Sequence, residues 1–464
     1  MSLAPLPQTP LVSMMLSTYN HERFIVEAVE SALAQDWPAE RLEIVVLDDG
    51  SADATPELLR PYEDRVRVLR QENQGIRAVV NRLMEEMRGD VILAAAGDDV
   101  SPPHRVRTLV EALRANPSAG LVYSDQEIID DTGARLAPSF MDAYRLPRPS
   151  GRIRGQLLRR NVVSGGACML RGDLKHVVHP LPEHAPWEDY WWAWAISGVA
   201  DVVYVPEVTY RYRHHGGNVS LGTTGARLAA AQRKEVGYRR WMLAQVRPGE
   251  AGPLDVVEGI AQLHSILAQI AQETGEHPND VVASFPRDEA AAEAHVRAAV
   301  AALADNDVTG ATFACGAATA AAPVFPPILT LLEPIRAQLH AAPPPVLATR
   351  GVEVLADAHE LLRRPALLSA YGEQYAGADG VTLVIHGEGA DQGEIAGALL
   401  PVLAEHGLDG DDAPDMVLVT DVPGGRAALA RRASARLGDD VPAALPCALT
   451  ATAPVPLPKE PVHP

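Results

Sequence analysis

Two neighbouring aspartates, Asp98 and Asp99, end an apolar run in the stretch AAAGDDVSPPHR, residues 94 to 105. The chain carries a formal net charge of −20, so adjacent carboxylates repel one another unless a cation lies between them. Carboxylate oxygens are the ligands that Mg²⁺ or Mn²⁺ prefers, and such an ion keeps positions open for phosphate oxygens. The pair therefore predicts a divalent metal site that binds a diphosphate, and the alternative is that one aspartate caps a helix near Pro102.

A second acidic pair, Glu188 and Asp189, stands in the stretch PWEDYWWAW, residues 186 to 194. A carboxylate shielded by aromatic rings has a raised pKa, which suits a general base that takes a proton from a hydroxyl group. Acidic residues are also favourable in the first turn of a helix, so a structural role fits the same pair. The nearby tryptophans either form a platform for a ligand or pack in a core; they are Trp187, Trp191, Trp192 and Trp194.

The elements that must position these residues are short apolar runs that alternate with helical patterns. The runs at 11–17, 42–49, 66–71 and 90–97 have the length and near-continuous apolarity of strands buried on both faces. Apolar residues recur at helical spacing over 25–33, 76–87 and 106–113. This alternation predicts an α/β fold with a parallel sheet covered on both faces.

Polar segments lie at the ends of three of these runs, namely STYN (17–20), DDGS (48–51) and GDD (97–99). Ligands of such sheets bind outside the carboxyl ends of the strands, so we expect the three segments to share one edge. The segment STYNHERF contains no glycine, which excludes a typical dinucleotide fingerprint or a phosphate loop after the first strand. The charge of a bound diphosphate must then be offset by a metal.

Four stretches together resemble the N-terminal half of a family 2 glycosyltransferase with the GT-A fold, a Rossmann-like, mostly parallel sheet. They are LVSMMLSTYNHERFIVEAVESALAQ, LEIVVLDDGSADAT, ENQGIRAVVNRLM and AAAGDDVSPPHR, and the resemblance runs over about residues 11 to 220. In the family, the segment matching Thr18, Tyr19 and Asn20 borders the base and ribose of the donor nucleotide. The acidic pair matching Asp48 and Asp49 contacts the nucleoside.

The family's D-x-D element, which binds ribose and metal, is altered in this chain. Ala96 stands where the first aspartate would be, so Gly97, Asp98 and Asp99 remain. A metal bridge through Asp98 survives the change, whereas the carboxylate that would contact the ribose is missing. We therefore expect Mn²⁺ or Mg²⁺ as the cofactor.

The resemblance also implies roles near the end of the predicted catalytic domain. It makes Asp189 the base that deprotonates the acceptor and leaves Glu188 to orient it or to meet the acceptor. The stretch VYVPEVTYRYRHHGGNVS (203–220) contains the family's Tyr-Arg-x-His pattern, which assigns Arg213 to the diphosphate and His215 to the metal. The Gln-x-x-Arg-Trp signature of processive membrane synthases is absent, because Gln232 lies too far from Arg240. Transfer of one sugar at a time is therefore favoured.

The second half of the chain has a different character. Alanine-rich helical patterns begin at about residue 222, and an apolar stripe over 256–270 suits either a core or a contact in a homo-oligomer. Runs at 380–389 and 415–425 predict a small α/β domain after the linker APPPV (342–346). The predicted domains are a GT-A domain at 1–221, a helical region at 222–345, a Rossmann-like domain at 346–440 and a proline-rich, disordered tail at 441–464.

Composition limits the partners and the compartment that we expect. An excess of 60 acidic over 40 basic residues disfavours nucleic-acid binding. Three widely spaced cysteines fit neither a disulfide framework nor a zinc site, and the N-terminus shows no secretory signal. The uncharged stretch between Asp307 and Glu333 is broken by prolines, so we expect no membrane span. A cytoplasmic protein, with peripheral membrane attachment as an alternative, is predicted.

The function predicted from these features is an inverting, metal-dependent glycosyltransferase. It would use a nucleoside-diphosphate sugar, with UDP favoured, and a glycan or other hydroxyl acceptor in cell-surface glycan or polysaccharide synthesis. One alternative is a nucleotidyltransferase that forms sugar nucleotides, which would need a glycine-rich basic loop after the first strand. Another is a glycan-binding or scaffolding protein whose catalytic site has decayed, which Ala96 suggests.

Overall fold

The computed structural model describes residues 3–216 and 224–341, and the shorter stretches 352–365, 367–368, 371, 381–386, 392–406, 408, 415–419 and 435–436. Contacts divide the chain into a first unit, residues 1–339, and a second unit, residues 340–464. Each unit is described by itself.

The described part of the first unit contains one mixed, mostly parallel sheet. Its strands are β1 (Val12–Thr18), β2 (Leu42–Asp48), β3 (Arg67–Arg70), β4 (Val91–Ala96), β5 (Ala119–Ile129), β6 (Arg135–Ala137), β7 (Cys168–Arg171) and β8 (Asp201–Arg213). The order is β3-β2-β1-β4-β7-β5-β6, and β8 pairs with β5. Strands β1 to β4 are parallel, β7 is antiparallel to β4 and β5, and β8 is parallel to β5. The predicted α/β fold class is confirmed.

Helices accompany this sheet along the chain. They are α1 (Ile25–Leu33), α2 (Thr55–Leu59), α3 (Ile76–Glu86), α4 (Arg105–Ala115), α5 (Phe140–Ala143), α6 (Arg154–Arg159), α7 (Lys175–Val178) and α8 (Glu188–Ser197). Helices α1, α3 and α4 coincide with the three helical patterns in the sequence. Their apolar stripes are buried.

Strands β1, β2 and β4 are apolar on both faces because each face covers a separate hydrophobic cluster, whereas β3 has no buried residue. In β1, Met14 and Leu16 pack in the cluster that also contains residues of α1 and α4, while Met15 packs in the cluster with α3. The alternation follows from the two-residue period of a strand. Burial of one such side chain contributes about 1.5–3 kcal/mol, so this two-sided packing fixes the register of the sheet.

Three strand ends that carry polar residues lie level with one another. Thr18 of β1 pairs with Asp48 of β2, and Ser17 of β1 pairs with Ala96 of β4. The segments that follow these strands therefore emerge at one edge of the sheet.

A helical region follows the sheet within the first unit. Its helices are α9 (Gly225–Gln245), α10 (Pro253–Thr274), α11 (Pro278–Ala283), α12 (Glu289–Ala304), α13 (Val308–Ala321) and α14 (Pro326–Ala341). Helix α10 begins where Asp255 Oδ2 accepts a hydrogen bond from Gly252 N at 2.8 Å and ends at Gly275, whose φ is +72°. Its apolar stripe joins the cluster that contains α3. No helix in the described ranges is long and apolar enough to cross a membrane.

The second unit contains a small parallel sheet in its described residues. Strands β9 (Val352–Asp357), β10 (Val381–His386), β11 (Asp415–Val419) and β12 (Ala435–Arg436) follow the order β11-β10-β9-β12. Helices α15 (Ala358–Arg363) and α16 (Gln392–Glu405) contribute Leu361, Ile395 and Leu399 to its core. The expected small α/β unit is therefore present.

The division between the units at 339 lies near the predicted boundary at 345, whereas the helical region shares a unit with the sheet. The boundaries at 221, 345 and 440 stay predictions. Three predicted segments lie outside the described residues: the linker at 342–346, the end of the run at 380–389 after His386, and the tail at 441–464.

Candidate active site

The segment after β1 is joined to the segment after β2 by short hydrogen bonds. Asn20 has a φ of +56°, a conformation that asparagine tolerates better than most residues. Its backbone N donates to Ser51 Oγ at 2.8 Å, and its Oδ1 accepts from Ala52 N at 2.8 Å. Asn20 therefore holds the two segments together, while the neighbouring Tyr19 ring is 45% exposed.

Asp48 is a buried carboxylate that pairs with Arg70. Its Oδ1 accepts hydrogen bonds from Ser51 N at 2.9 Å and Ser51 Oγ at 2.5 Å. Its Oδ2 is buried, makes no hydrogen bond and lies 3.3 Å from Arg70 Nε. A cavity of about 570 Å³ is lined by Gly50, Arg70 and residues 71–73. Arg70 therefore connects Asp48 to the lining of this cavity.

Asp49 organises the loop before α3. Its Oδ1 accepts hydrogen bonds from Gln71 Nε2 at 2.7 Å and Gln74 N at 3.0 Å. Its Oδ2 accepts from Gly75 N at 2.8 Å. Both oxygens are therefore engaged by protein donors, and this arrangement differs from the predicted nucleoside contact of Asp49.

Asp98 is the carboxylate on which two imidazoles converge. Its Oδ2 lies 3.0 Å from His215 Nε2 and 3.6 Å from His21 Nε2. Burial raises the pKa of Asp98, but the hydrogen bond from His215 and the interactions with both histidines hold it below its usual value. Asp98 is therefore ionised at neutral pH.

The pair Asp98 and His215 fits a divalent metal. Two adjacent ligands of an octahedral ion, each about 2.1 Å from it, are about 3.0 Å apart, and the two atoms here are 3.0 Å apart. Their side chains are 12% and 11% exposed, so a ligand can reach them. Within the described ranges, no set of three or more His, Cys, Asp or Glu side chains is arranged to hold a metal. The chain thus offers a two-residue arrangement.

Asp99 is engaged by two protein donors. Its Oδ1 accepts a hydrogen bond from Arg213 N at 2.7 Å, and its Oδ2 accepts from Tyr210 Oη at 2.9 Å. Burial and the charge of Asp98 raise the pKa of Asp99 well above its usual value. Both oxygens of Asp99 thus accept hydrogen bonds from the protein, and its role as a metal ligand stays a prediction.

Gly97 lies where the chain passes close to the segment after β1. A Cβ at this position would be 2.6 Å from Thr18 Oγ1 and 2.9 Å from His21 Nδ1, so only glycine fits without a shift. The preceding residue, Ala96, donates its backbone N–H to Tyr210 Oη at 3.0 Å. The loop therefore keeps its position although the carboxylate at 96 is absent.

Arg213 is a buried anchor of the loop that contains Asp98. Its Nε donates to the carbonyl oxygen of Asp98 at 2.8 Å, and its Nη1 donates to the carbonyl oxygen of Asp130 at 3.1 Å. Its Nη2 pairs with Glu27 Oε2 at 2.5 Å, and its guanidinium lies over the Phe24 ring. This position differs from the predicted diphosphate contact, because the guanidinium bonds to the protein itself.

Asp189 lies in the first turn of α8 and is half-buried. Its Oδ1 accepts a hydrogen bond from Asn161 Nδ2 at 3.0 Å, and its Oδ2 accepts from Gly165 N at 3.1 Å. Burial and the charge of Glu188 raise the pKa of Asp189 to about 8, and burial also raises the pKa of Glu188. Glu188 and Asp189 thus fit both a structural role and a general base. They lie in the first turn of α8, and their raised pKa values suit a base.

A turn at Gly165 and Gly166 joins the surroundings of Asp189 to those of Asp99. Gly165 N donates to Asp189, and a Cβ on Gly166 would lie 2.2 Å from the Tyr210 ring, whose hydroxyl donates to Asp99. Arg105 donates to the carbonyl oxygens of Ala94 and Gly166 and lies over the same ring. The base candidate and the loop after β4 are therefore held by one packed layer. Glycine at 166 allows the close approach of the backbone to the Tyr210 ring.

Replacing Gly166 with alanine should destabilise the first unit by about 1–3 kcal/mol, because the new methyl group would clash with the Tyr210 ring. Urea unfolding followed by tryptophan fluorescence measures this, since all six tryptophans lie within residues 1–339. Gly237→Ala is the control: nothing lies within 4 Å of a Cβ there, in helix α9, so stability should stay equal or rise. Equal midpoints for Gly166→Ala and the unmodified chain would contradict the close approach.

The tryptophans divide between the core and the surface. Trp192 and Trp194 are buried, whereas Trp187 and Trp191 are half-buried. Trp191 Nε1 donates to the carbonyl oxygen of Val178 at 2.9 Å. Of the four tryptophans in residues 187–194, only Trp187 and Trp191 therefore have surface that could meet a ligand.

Sequence reasoning missed four residues that shape this site: His21, Arg105, Asn161 and Tyr210. His21 follows directly on STYN, Arg105 ends the stretch AAAGDDVSPPHR, and Tyr210 precedes Arg213 by three residues, so all three lie in the motif stretches. Asn161 carries no local pattern, because its partner Asp189 is distant in sequence.

Comparisons with known proteins give matches over the N-terminal part of the chain. Residues 13–178 match the family described as Glycosyl transferase family 2. A Bacillus subtilis protein named as the glycosyltransferase EpsH is 30% identical over 227 residues, which cover 45% of this chain and 62% of that protein. The chondroitin synthase of Escherichia coli is 35% identical over 140 residues, which cover 30% of this chain and 20% of that protein.

The chain thus spans less than two thirds of the length of these relatives. Among solved structures, the mannosyltransferase PcManGT from Pyrobaculum calidifontis, in complex with GDP-Man and Mn²⁺, is 20% identical. The alignment covers 69% of this chain and 88% of that chain, with a TM-score of 0.43. The family match over residues 13–178 confirms what the sequence motifs indicated: the N-terminal part of this chain resembles the family 2 glycosyltransferases.

Proposed function

We propose that this protein is an inverting, metal-dependent glycosyltransferase that moves one sugar at a time from a nucleoside-diphosphate sugar, with UDP favoured, to a hydroxyl acceptor. The observation that carries the proposal is the pairing of Asp98 Oδ2 with His215 Nε2 at 3.0 Å, at the sheet edge where Thr18 and Asp48 also end their strands. The match of residues 13–178 to a glycosyltransferase family supports it.

Asp98 and His215 would hold the metal, and the remaining ligands would come from the diphosphate and water. Bound there, Mn²⁺ or Mg²⁺ supplies positive charge that stabilises the leaving nucleoside diphosphate. Asp48 would contact the nucleoside, and its buried Oδ2, which makes no hydrogen bond, pairs with Arg70. Asn20, Asp49, Asp99 and Arg213 act through other residues: they fix the segments on which these groups lie.

Asp189 would take the proton from the acceptor hydroxyl. The hydroxyl oxygen attacks the anomeric carbon as the bond to the diphosphate breaks, so a single displacement inverts the configuration at that carbon. The hydrogen bonds from Asn161 and Gly165 orient the Asp189 carboxylate, and its raised pKa makes it a stronger base than an exposed aspartate. Trp187 and Trp191 are the aromatic residues nearest in sequence that could contact an acceptor sugar.

We place the reaction in cell-surface glycan or polysaccharide synthesis in the cytoplasm, and we assign a homo-oligomer contact to the C-terminal half. One of the relatives is named a chondroitin synthase, which supports a polysaccharide product. The three widely spaced cysteines fit a reducing compartment.

Slow hydrolysis of nucleotide sugars tests the proposal without a known acceptor. The 464-residue chain is incubated with a panel of UDP-sugars and GDP-sugars, and nucleotide release is measured with Mn²⁺ and with EDTA. Release from at least one donor with Mn²⁺, and none with EDTA, is expected. No release from any donor, together with no nucleotide binding, would favour the decayed glycan-binding protein instead.

The pH dependence of nucleotide release should follow the deprotonation of Asp189. Because the base must be deprotonated, and its pKa is raised to about 8, kcat/KM for nucleotide release should rise with pH and level off above that value. Glu188→Gln removes one of the two causes of the shift, so the midpoint should move to lower pH. Glu183→Gln, on the exposed residue five positions earlier, is the control. An unchanged midpoint in Glu188→Gln would contradict the assignment.

A further inference from the structure

His21 lies between the nucleoside segment and the carboxylate of Asp98. Its Nδ1 is 3.3 Å from Thr18 Oγ1, and its Nε2 is 3.6 Å from Asp98 Oδ2. The backbone fixes the residue, because His21 N donates to Thr55 Oγ1 at 2.9 Å and its carbonyl oxygen accepts from Phe24 N and Ile25 N at the start of α1. The ring is therefore held between Thr18 and Asp98.

The hydrogen-bonding groups around the ring assign its proton. Nε2 faces a carboxylate, which can only accept, whereas Nδ1 faces a hydroxyl group that can donate. The neutral ring therefore carries its proton on Nε2. At 3.6 Å the separation from Asp98 Oδ2 exceeds a normal hydrogen bond, so this N–H is available to a closer acceptor.

The position of the ring is specified by its neighbours. A Cβ at Gly97 would lie 2.9 Å from His21 Nδ1, so a larger residue there would push the imidazole away. The His215 ring lies perpendicular to it, with centroids 6.4 Å apart. Ala96 contributes no polar side-chain atom to the same loop. His21 is therefore the polar side chain that stands next to Asp98 on the side of Thr18.

We propose that His21 binds the diphosphate of the donor nucleotide, by donating its Nε2–H to a phosphate oxygen. This inference rests on the proposed function. A phosphate oxygen is a charged acceptor, and hydrogen bonds to charged groups are stronger than neutral ones. His21 is not a third metal ligand in this assignment, in keeping with the absence of a three-residue metal cluster among the described residues. His21, in the segment after β1, supplies a polar contact beside the loop after β4, which has alanine and no carboxylate at position 96.

Binding of uridine, of UDP with Mn²⁺ and of Mn²⁺ alone tests the inference. Isothermal titration is carried out on the unmodified chain, His21→Ala, His21→Gln and His214→Ala. Glutamine places an amide N–H near the position of Nε2, and His214 is exposed and adjacent to His215 in sequence. His21→Ala should weaken UDP binding about 10- to 100-fold. His21→Gln should restore part of that loss, and His214→Ala should bind as the unmodified chain does.

Uridine and Mn²⁺ separate this contact from other roles of His21. Uridine lacks phosphate, so its affinity should be the same in all four proteins, and Mn²⁺ binding without nucleotide, followed by electron paramagnetic resonance, should also be the same. Equal UDP affinity in His21→Ala and the unmodified chain would overturn the inference. So would a loss of Mn²⁺ binding in His21→Ala, which would make His21 a ligand, or a parallel loss of uridine binding, which would make its role structural. Failure of the unmodified chain to bind UDP would instead overturn the proposed function.

Discussion

Replacing Asp189 with asparagine is expected to slow sugar transfer and donor hydrolysis by about 10²- to 10⁴-fold, with UDP affinity unchanged. Asparagine has nearly the same shape and keeps one oxygen for Asn161 or Gly165, but it cannot take a proton. The loss should therefore fall on kcat. Nucleotide release gives the rate, and isothermal titration with UDP and Mn²⁺ gives the affinity.

Asp201→Asn is a matched control for this variant. Asp201 pairs with Arg152 at the start of β8, away from Asp189 and from the loop that contains Asp98. Its replacement should leave both rate and affinity as they are. Turnover of Asp189→Asn equal to that of the unmodified chain would show that another group takes the proton.

Replacing Asp98 with asparagine is the second change with a large expected effect. The variant loses the charged oxygen that faces His215, so Mn²⁺-dependent UDP binding should weaken by at least about 100-fold, and nucleotide release should fall with it. Titration with UDP at fixed Mn²⁺ measures the first quantity. A variant that binds Mn²⁺ and UDP as tightly as the unmodified chain would contradict the metal assignment.

Asp99→Asn is a matched comparison for Asp98→Asn, because Asp98 and Asp99 are adjacent and have the same side chain. An amide oxygen at 99 can accept from Arg213 N, and the amide N–H can donate to Tyr210 Oη. Since burial and the charge of Asp98 already raise the pKa of Asp99, the neutral amide resembles its favoured form. Asp99→Asn should therefore keep its metal affinity. An equal loss in both variants would mean that both carboxylates bind the metal.

The sheet was predictable because each strand and helix carries its own signal. Strands β1, β2 and β4 are continuous apolar runs, since each side of the sheet has its own cluster, and α3 shows its buried stripe in the spacing of Val79, Leu83 and Met84. The level ends of β1, β2 and β4 followed from parallel pairing. Local patterns of this kind need no knowledge of distant contacts.

The different environments of Asp98 and Asp99 could not be predicted from the sequence. Both are aspartates after the same strand, and what separates them is the burial of Asp99 against Tyr210 and the backbone of Arg213, more than 100 positions later. Arg213 was assigned to the diphosphate through the resemblance to the family's Tyr-Arg-x-His pattern, but Glu27 and the Asp98 carbonyl oxygen engage it. Such long-range contacts leave no trace in spacing or composition.

The metal dependence of nucleotide binding tests the central claim most directly. The 464-residue chain is titrated with UDP in buffer containing Mn²⁺ and again after the metal is removed with EDTA. We predict clear heat and a measurable Kd with Mn²⁺ and little or no binding without it. Equal affinity under both conditions would contradict a metal held by Asp98 and His215 that binds the diphosphate.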